Sequence, residues 1–103
     1  MSETALMMQI RDALLATGRV LLWRNNTGKL KDRTGRWVTY GLGLGGADLV
    51  GMLRPDGRFF AVEVKIPGER PTPEQEAWHR AARAAGAIVV VAHSVTEALA
   101  ALP

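Results

Sequence analysis

The chain has 103 residues, 48% of them hydrophobic, with no cysteine and a formal net charge of +3. That length suits one domain with one core, and the composition is too apolar for disorder. The lack of cysteine excludes disulfides, Cys-ligated zinc and a Cys nucleophile and fits a cytoplasmic setting, and no apolar run approaches the roughly 20 residues of a membrane span.

Residues 3–16 carry helical spacing, with Leu6, Ile10, Ala13 and Leu14 on one face, Ser2 as the cap and Gly18 as the stop. This stretch reads as a helix and not as a signal peptide. "RVLLWRN" follows as a strand. The next segment is punctuated by glycine and polar residues, with "KDRTGRW" as a hairpin tip and "WVTY" as the returning strand. Arg24, Lys29, Lys31, Arg33 and Arg36 crowd this region, flanked by Trp23 and Trp37. A basic, aromatic-flanked segment suits a phosphate backbone, and it equally suits a solvated hairpin. The two tryptophans are read as core or interface anchors first and as stacking platforms second.

The glycines between 41 and 46 give a flexible entry into an apolar hairpin that turns at "RPDG", where Pro55 presets the turn and Gly57 is free to take a positive φ. After the loop "IPGERP", a helix over 73–85 is marked by Thr72 as cap, Pro73 at the first position and Gln75 closing a capping box, and Gly86 ends it. Trp78, Ala82 and Ala85 form its apolar stripe. "AIVVVAH" reads as a strand covered on both faces, and "SVTE" is a second capping box opening a last short helix. His79 and His93 are read as isolated surface or strand-end histidines. The order is α-β-β-β-β-β-α-β-α, an α/β fold with a mixed sheet flanked by helices in one domain. Residues 59–65, 73–85 and 87–93 make a β-α-β crossover, so its two strands run parallel.

Three charges interrupt the central hairpin. Alternation places Glu63 and Lys65 on one strand face, with Phe60, Val62 and Val64 on the other. A four-residue loop over 54–57 sets Asp48 directly opposite Glu63; a three-residue loop sets it opposite Val64 instead. Two facing carboxylates need a proton, a cation or a metal ion. Lys65 as the cation makes a structural salt-bridge cluster, and a hard divalent ion makes a site.

The ordered set "GGADLVGM…GRFFAVEVK…PTPEQ", with "RNNTG" before it, resembles the VRR-NUC domain, a branch of the PD-(D/E)xK restriction-endonuclease-like superfamily. Asp48 matches the Asp of that motif and Glu63-Val64-Lys65 its (D/E)xK, Gln75 the Gln of the following helix, and Glu3 a Glu of the first helix. Ala47 stands where the superfamily name has proline. The resemblance implies an endonuclease that hydrolyses phosphodiester bonds in DNA using Mg²⁺ or Mn²⁺. Asp48, Glu63 and the Val64 carbonyl would hold the ion, and Lys65 would orient the attacking water or neutralise transition-state charge. Gln75 would assist, or serve only as the cap. Glu3 would contact a second ion, or simply favour its helix N-terminus. Arg24, Asn26, Lys29, Lys31, Arg33 and Arg36 would contact DNA. Similarity to small stand-alone phage and bacterial members implies a homodimer acting on branched DNA, such as a Holliday junction or a flap, in the cytoplasm of a bacterial or phage-infected cell. The competing readings are a catalytically silent nucleic-acid-binding module and a structural domain with a buried ion cluster.

Overall fold

The computed structural model describes residues 1–103. Helix α1 (Glu3–Ala16) is followed by strands β1 (Val20–Arg24), β2 (Gly28–Lys31), β3 (Trp37–Tyr40), β4 (Leu49–Leu53) and β5 (Phe59–Val64), then helix α2 (Pro73–Ala84), strand β6 (Ile88–Ala92) and helix α3 (Val95–Ala100). The element order is the expected one. The main sheet runs β1-β4-β5-β6, antiparallel except for the β5–β6 pair, which is parallel as the crossover requires.

Strand alternation sorts the sheet into two faces. Leu49, Leu53, Phe60, Val62 and Val64 turn to one side, where Leu6, Met7, Ile10 and Leu14 of α1 and Ala98 of α3 close the main core over them. On the other side Ala47, Ala61 and Val89 pack with Trp78 and Ala82 of α2. Gly51 is required by contact: a Cβ there would lie 1.8 Å from the Leu21 carbonyl oxygen of the neighbouring strand. α2 packs on the β6 side, and Leu21, Trp23, Met52 and Phe59 on that face remain exposed toward the β1 edge.

The caps follow the sequence at α1 and α2. Ser2 Oγ accepts from the Ala5 N–H, Thr72 and Gln75 form a complete reciprocal box, and Gly18 and Gly86 take positive φ just beyond the helices. The second box is only half made. Ser94 Oγ accepts from the Glu97 N–H, but the Glu97 carboxylate turns instead to the His93 N–H (2.9 Å) and Nδ1 (3.1 Å). Two donors on one neighbour, one of them capable of carrying charge, outcompete the single cap N–H.

β2 and β3 form a separate two-stranded sheet, and every residue of β3 is exposed. Its tip is held by Asp32, whose Oδ1 accepts from Thr34 N–H, Thr34 Oγ1 and Arg36 N–H at 2.7–3.0 Å. The Thr34 hydroxyl, then the Arg36 amide, hold the Asp32 carboxyl below its usual range. Trp23 and Trp37 are not core residues: they are 52% and 67% exposed. Trp23 lies on an edge strand beyond the cover of α2, and Trp37 lies on a hairpin too thin to bury either face.

Candidate active site

The central hairpin adopts the four-residue-loop register. The Leu53 N–H donates to the Arg58 carbonyl at 2.8 Å, and the ladder closes on the pair Leu49–Val62. Continuing the count by one sets Asp48 opposite Glu63. Hydrogen-bonded and non-hydrogen-bonded pairs alternate along an antiparallel ladder, so 48/63 falls in a non-hydrogen-bonded position, where facing side chains come closest. Asp48 then replaces a strand partner: its Oδ2 accepts the Val64 N–H at 2.7 Å. A strand residue's N–H and C=O point to the same neighbouring strand, so the Val64 carbonyl faces the Asp48 side too.

Asp48 is positioned by a residue outside the predicted set. The Asn25 N–H donates to the Asp48 carbonyl (2.8 Å), its Nδ2 donates to the Ala47 carbonyl (2.9 Å), and its Oδ1 accepts from the Leu42 N–H (3.2 Å). Trp78 Nε1 donates to the Leu42 carbonyl at 3.2 Å. The glycine loop expected to be flexible is thus pinned at Leu42 from two sides. Gly45, at φ +83°, passes so close to the start of α2 that a Cβ would sit 2.4 Å from the Glu74 carbonyl oxygen. Ala47 is fully buried, a small side chain packed against Ala61 and Val89.

Glu63 is 1% exposed, and its Oε1 has no hydrogen-bond partner. Burial first, then contact with the Asp48 carboxyl and its charge, push the Glu63 pKa up to about 9, while Lys65 opposes this. Lys65 is buried as well, yet no ion pair within 4.0 Å joins it to either carboxylate. The salt-bridge cluster allowed by the sequence is therefore not formed.

His79 corrects an expectation. It is not at the surface but 2% exposed beneath β5, with Nε2 3.4 Å from Glu63 Oε1. The inward stripe of α2 is Gln75, Trp78, His79 and Ala82, and Ala85 is exposed, so the helix is rotated from the stripe read through Trp78, Ala82 and Ala85. The i, i+3, i+4, i+7 spacing from Gln75 was the available signal.

Gln75 serves its cap, with Oε1 accepting the Thr72 N–H at 2.8 Å, and also lines a cavity of about 310 Å³ with Asp48, Gly46, Arg24, Asn26 and Thr27. Glu3, in the first turn of α1, is close enough for its charge to raise the Glu63 pKa, the smallest of the influences on it. Asp48, Glu63, Val64, Lys65, Gln75 and Glu3 thus gather at one end of the sheet, with Arg24 and Asn26 on the cavity wall. Lys29, Lys31, Arg33 and Arg36 stand apart on the exposed hairpin. No group of three or more His, Cys, Asp or Glu side chains is arranged to hold a metal ion. Two opposed carboxylates, one of them buried and unpaired with Lys65, still fit a hard cation that keeps several waters, as Mg²⁺ does.

The sequence model of the VRR-NUC domain matches residues 2–96. The chain belongs to the VRR-NUC family. One solved structure, described as "VRR_NUC domain", is similar with a TM-score of 0.65 and 27% identity, covering 95% of this chain and 90% of that one. No match was found among curated proteins. VRR-NUC is a nuclease-family domain, and nucleases of the PD-(D/E)xK kind typically use a divalent metal ion. No helix of this VRR-NUC chain is long and apolar enough to cross a membrane.

Proposed function

We propose that residues 1–103 act as one nuclease unit, a Mg²⁺-dependent endonuclease of DNA that also accepts Mn²⁺ and prefers branched substrates such as four-way junctions or flaps. The observation that carries this is the pair Asp48–Glu63: two opposed carboxylates, one of them buried, beside a lysine that pairs with neither. Uncompensated buried charge is expensive, and a cation between the carboxylates removes the cost.

Asp48, Glu63 and the Val64 carbonyl would hold the cation. When bound, it supplies Lewis acidity at the scissile phosphate and lowers the pKa of a water. Lys65 orients that water and offsets the negative charge that builds on the phosphate oxygens. A role as base would need a depressed lysine pKa, which the neighbouring carboxylates oppose. Gln75 presents its amide N–H groups to the cavity while its Oε1 stays on the cap. Glu3 adds negative charge at the rim. Arg24 and Asn26 contact the strand being cut, and the basic hairpin follows the flanking duplex. The exposed apolar row Leu21, Trp23, Met52 and Phe59 supports a homodimer, whose two-fold axis would match a four-way junction.

The test is cleavage of a labelled four-way junction, a 5′-flap and a plain duplex in Mg²⁺, Mn²⁺ and EDTA, beside Lys65→Ala. Metal-dependent cutting of the branched substrates that disappears in the variant is the expected result. Binding without cutting in any metal would convert the reading to a silent nucleic-acid-binding module.

A further inference from the structure

The nuclease reading employs Glu63 and leaves His79 without a role. His79 lies on α2 one turn after Gln75, buried against the strand that carries Glu63. Its Nε2 and Glu63 Oε1 are the only buried side-chain polar atoms in the chain that lack a hydrogen bond, and they face each other at 3.4 Å. Buried polar atoms are almost always partnered, so two orphans in contact point to a bond made in another state of the site. A neutral imidazole with its proton on Nε2 is a donor within a small adjustment of a carboxylate acceptor. The ring is almost fully buried. It stands edge-on to Trp78, with centroids 6.2 Å apart and planes at 84°, and it lines a cleft of about 260 Å³ with Pro71, Arg80 and Arg83.

We propose that His79 is a positioning residue for Glu63: its Nε2–H donates to Oε1 of the ionised carboxylate, fixes the side chain, and leaves the other oxygen for the cation. The inference rests on the nuclease reading of the site. A purely space-filling His79 is the competing account, and a donor-retaining variant separates the two.

The experiment compares wild type, His79→Leu and His79→Gln. Leucine fills the space without a donor, and glutamine keeps an N–H near the position of Nε2. Mn²⁺ affinity is titrated calorimetrically without DNA, single-turnover cleavage is measured, and thermal unfolding is followed in EDTA. We expect His79→Leu to bind Mn²⁺ about 10- to 100-fold more weakly and to cleave more slowly by a similar factor, the usual effect of removing a residue that orients a metal ligand. We expect His79→Gln to recover most of the Mn²⁺ affinity. Its unfolding in EDTA should show no matching order, because replacing an unpaired buried polar group by an apolar one is close to neutral. Wild-type Mn²⁺ affinity in His79→Leu, or equal loss in a folded His79→Gln, overturns the positioning role while the nuclease reading stands. A wild type that neither binds Mn²⁺ nor cuts overturns both. Should leucine prevent folding, His79→Met is read by the same criteria.

Discussion

The β4–β5 hairpin buries Glu63 and Lys65 beneath α2, whereas the β2–β3 hairpin leaves Lys29, Lys31, Arg33 and Arg36 in water with its aromatic side chains beside them. Both are antiparallel pairs closed by a glycine-containing turn, so local geometry does not separate them. Cover does. β4 and β5 are central strands, with α1 and α3 on one face and α2 on the other, and a charge there meets low dielectric and few partners. β2 and β3 pair only with each other. Their charges stay solvated, and Lys31 Nζ rests 5.2 Å from the Trp37 ring centroid at little cost. Buried charge shifts its own titration and calls for a counterion; solvated charge acts at a distance on a polyanion. One hairpin is suited to chemistry and the other to holding a substrate.

The largest effects should separate the hairpins by rate. Lys65→Ala is expected to lower single-turnover cleavage by about 10²–10³, the scale of losing one donor to a charged transition state. Combined alanine substitution of Lys29, Lys31, Arg33 and Arg36 should leave the rate at saturating DNA nearly unchanged. A large rate loss from the hairpin variant would break the comparison.

Stability against pH gives the next contrast. The folded pKa of Glu63 is raised to about 9, so the metal-free native state holds a proton that the unfolded chain releases near 4.5. The native state then binds more protons across that window, and stability falls as pH rises from about 4.5 to about 9. Thermal melts in EDTA should show this decline in wild type and lose it in Glu63→Gln, which should be as stable as wild type or more so while failing to cleave. The hairpin variant should keep the wild-type slope. A flat wild-type profile would mean that Glu63 is already neutralised by a partner.

DNA affinity should reverse the ranking. Each hairpin cation that contacts phosphate contributes about 0.9 to the slope of log affinity against log salt on duplex DNA, so removing four should cut the slope by up to about 3.6. Lys65→Ala measured in EDTA should change it little. Trp37→Ala should weaken single-strand binding by about 1–3 kcal/mol if the ring stacks on a base, with stability within about 0.5 kcal/mol of wild type because the ring is exposed. The smallest effect lies outside both hairpins. When protonated, His93 donates from both ring nitrogens, to the Glu69 carbonyl (3.0 Å) and to Glu97 (3.1 Å), and these bonds raise its pKa. Their stabilisation is full below the unfolded value near 6.5 and is lost as pH rises through the raised folded value. His93→Ala should remove that slight alkaline decline.

Much of this was legible in the sequence. Thr72, Pro73 and Gln75 marked the start of α2, and Pro55 with Gly57 marked the turn whose length sets Asp48 against Glu63. Those signals act over four or five residues, and nothing distant overrides them. The tryptophans were less readable, since an aromatic side chain in a strand is buried only if something covers that strand. The capping box at Ser94 was half right, because a neighbouring histidine offered Glu97 better donors than the helix did.

The sequence by itself determined the order of elements and the helix ends, and narrowed the hairpin to two registers, because alternation, caps and turns are local rules of backbone geometry. Only the tertiary structure decided which buried polar atoms find partners. Asn25 reaches 22 residues along the chain to hold the Ala47 carbonyl, Lys65 stays clear of both carboxylates, and His79 turns inward beneath Glu63. Those outcomes depend on how α2 is rotated against the sheet, and that rotation is set by the packing of Ala47, Ala61 and Val89, residues far from α2 or from one another in the chain.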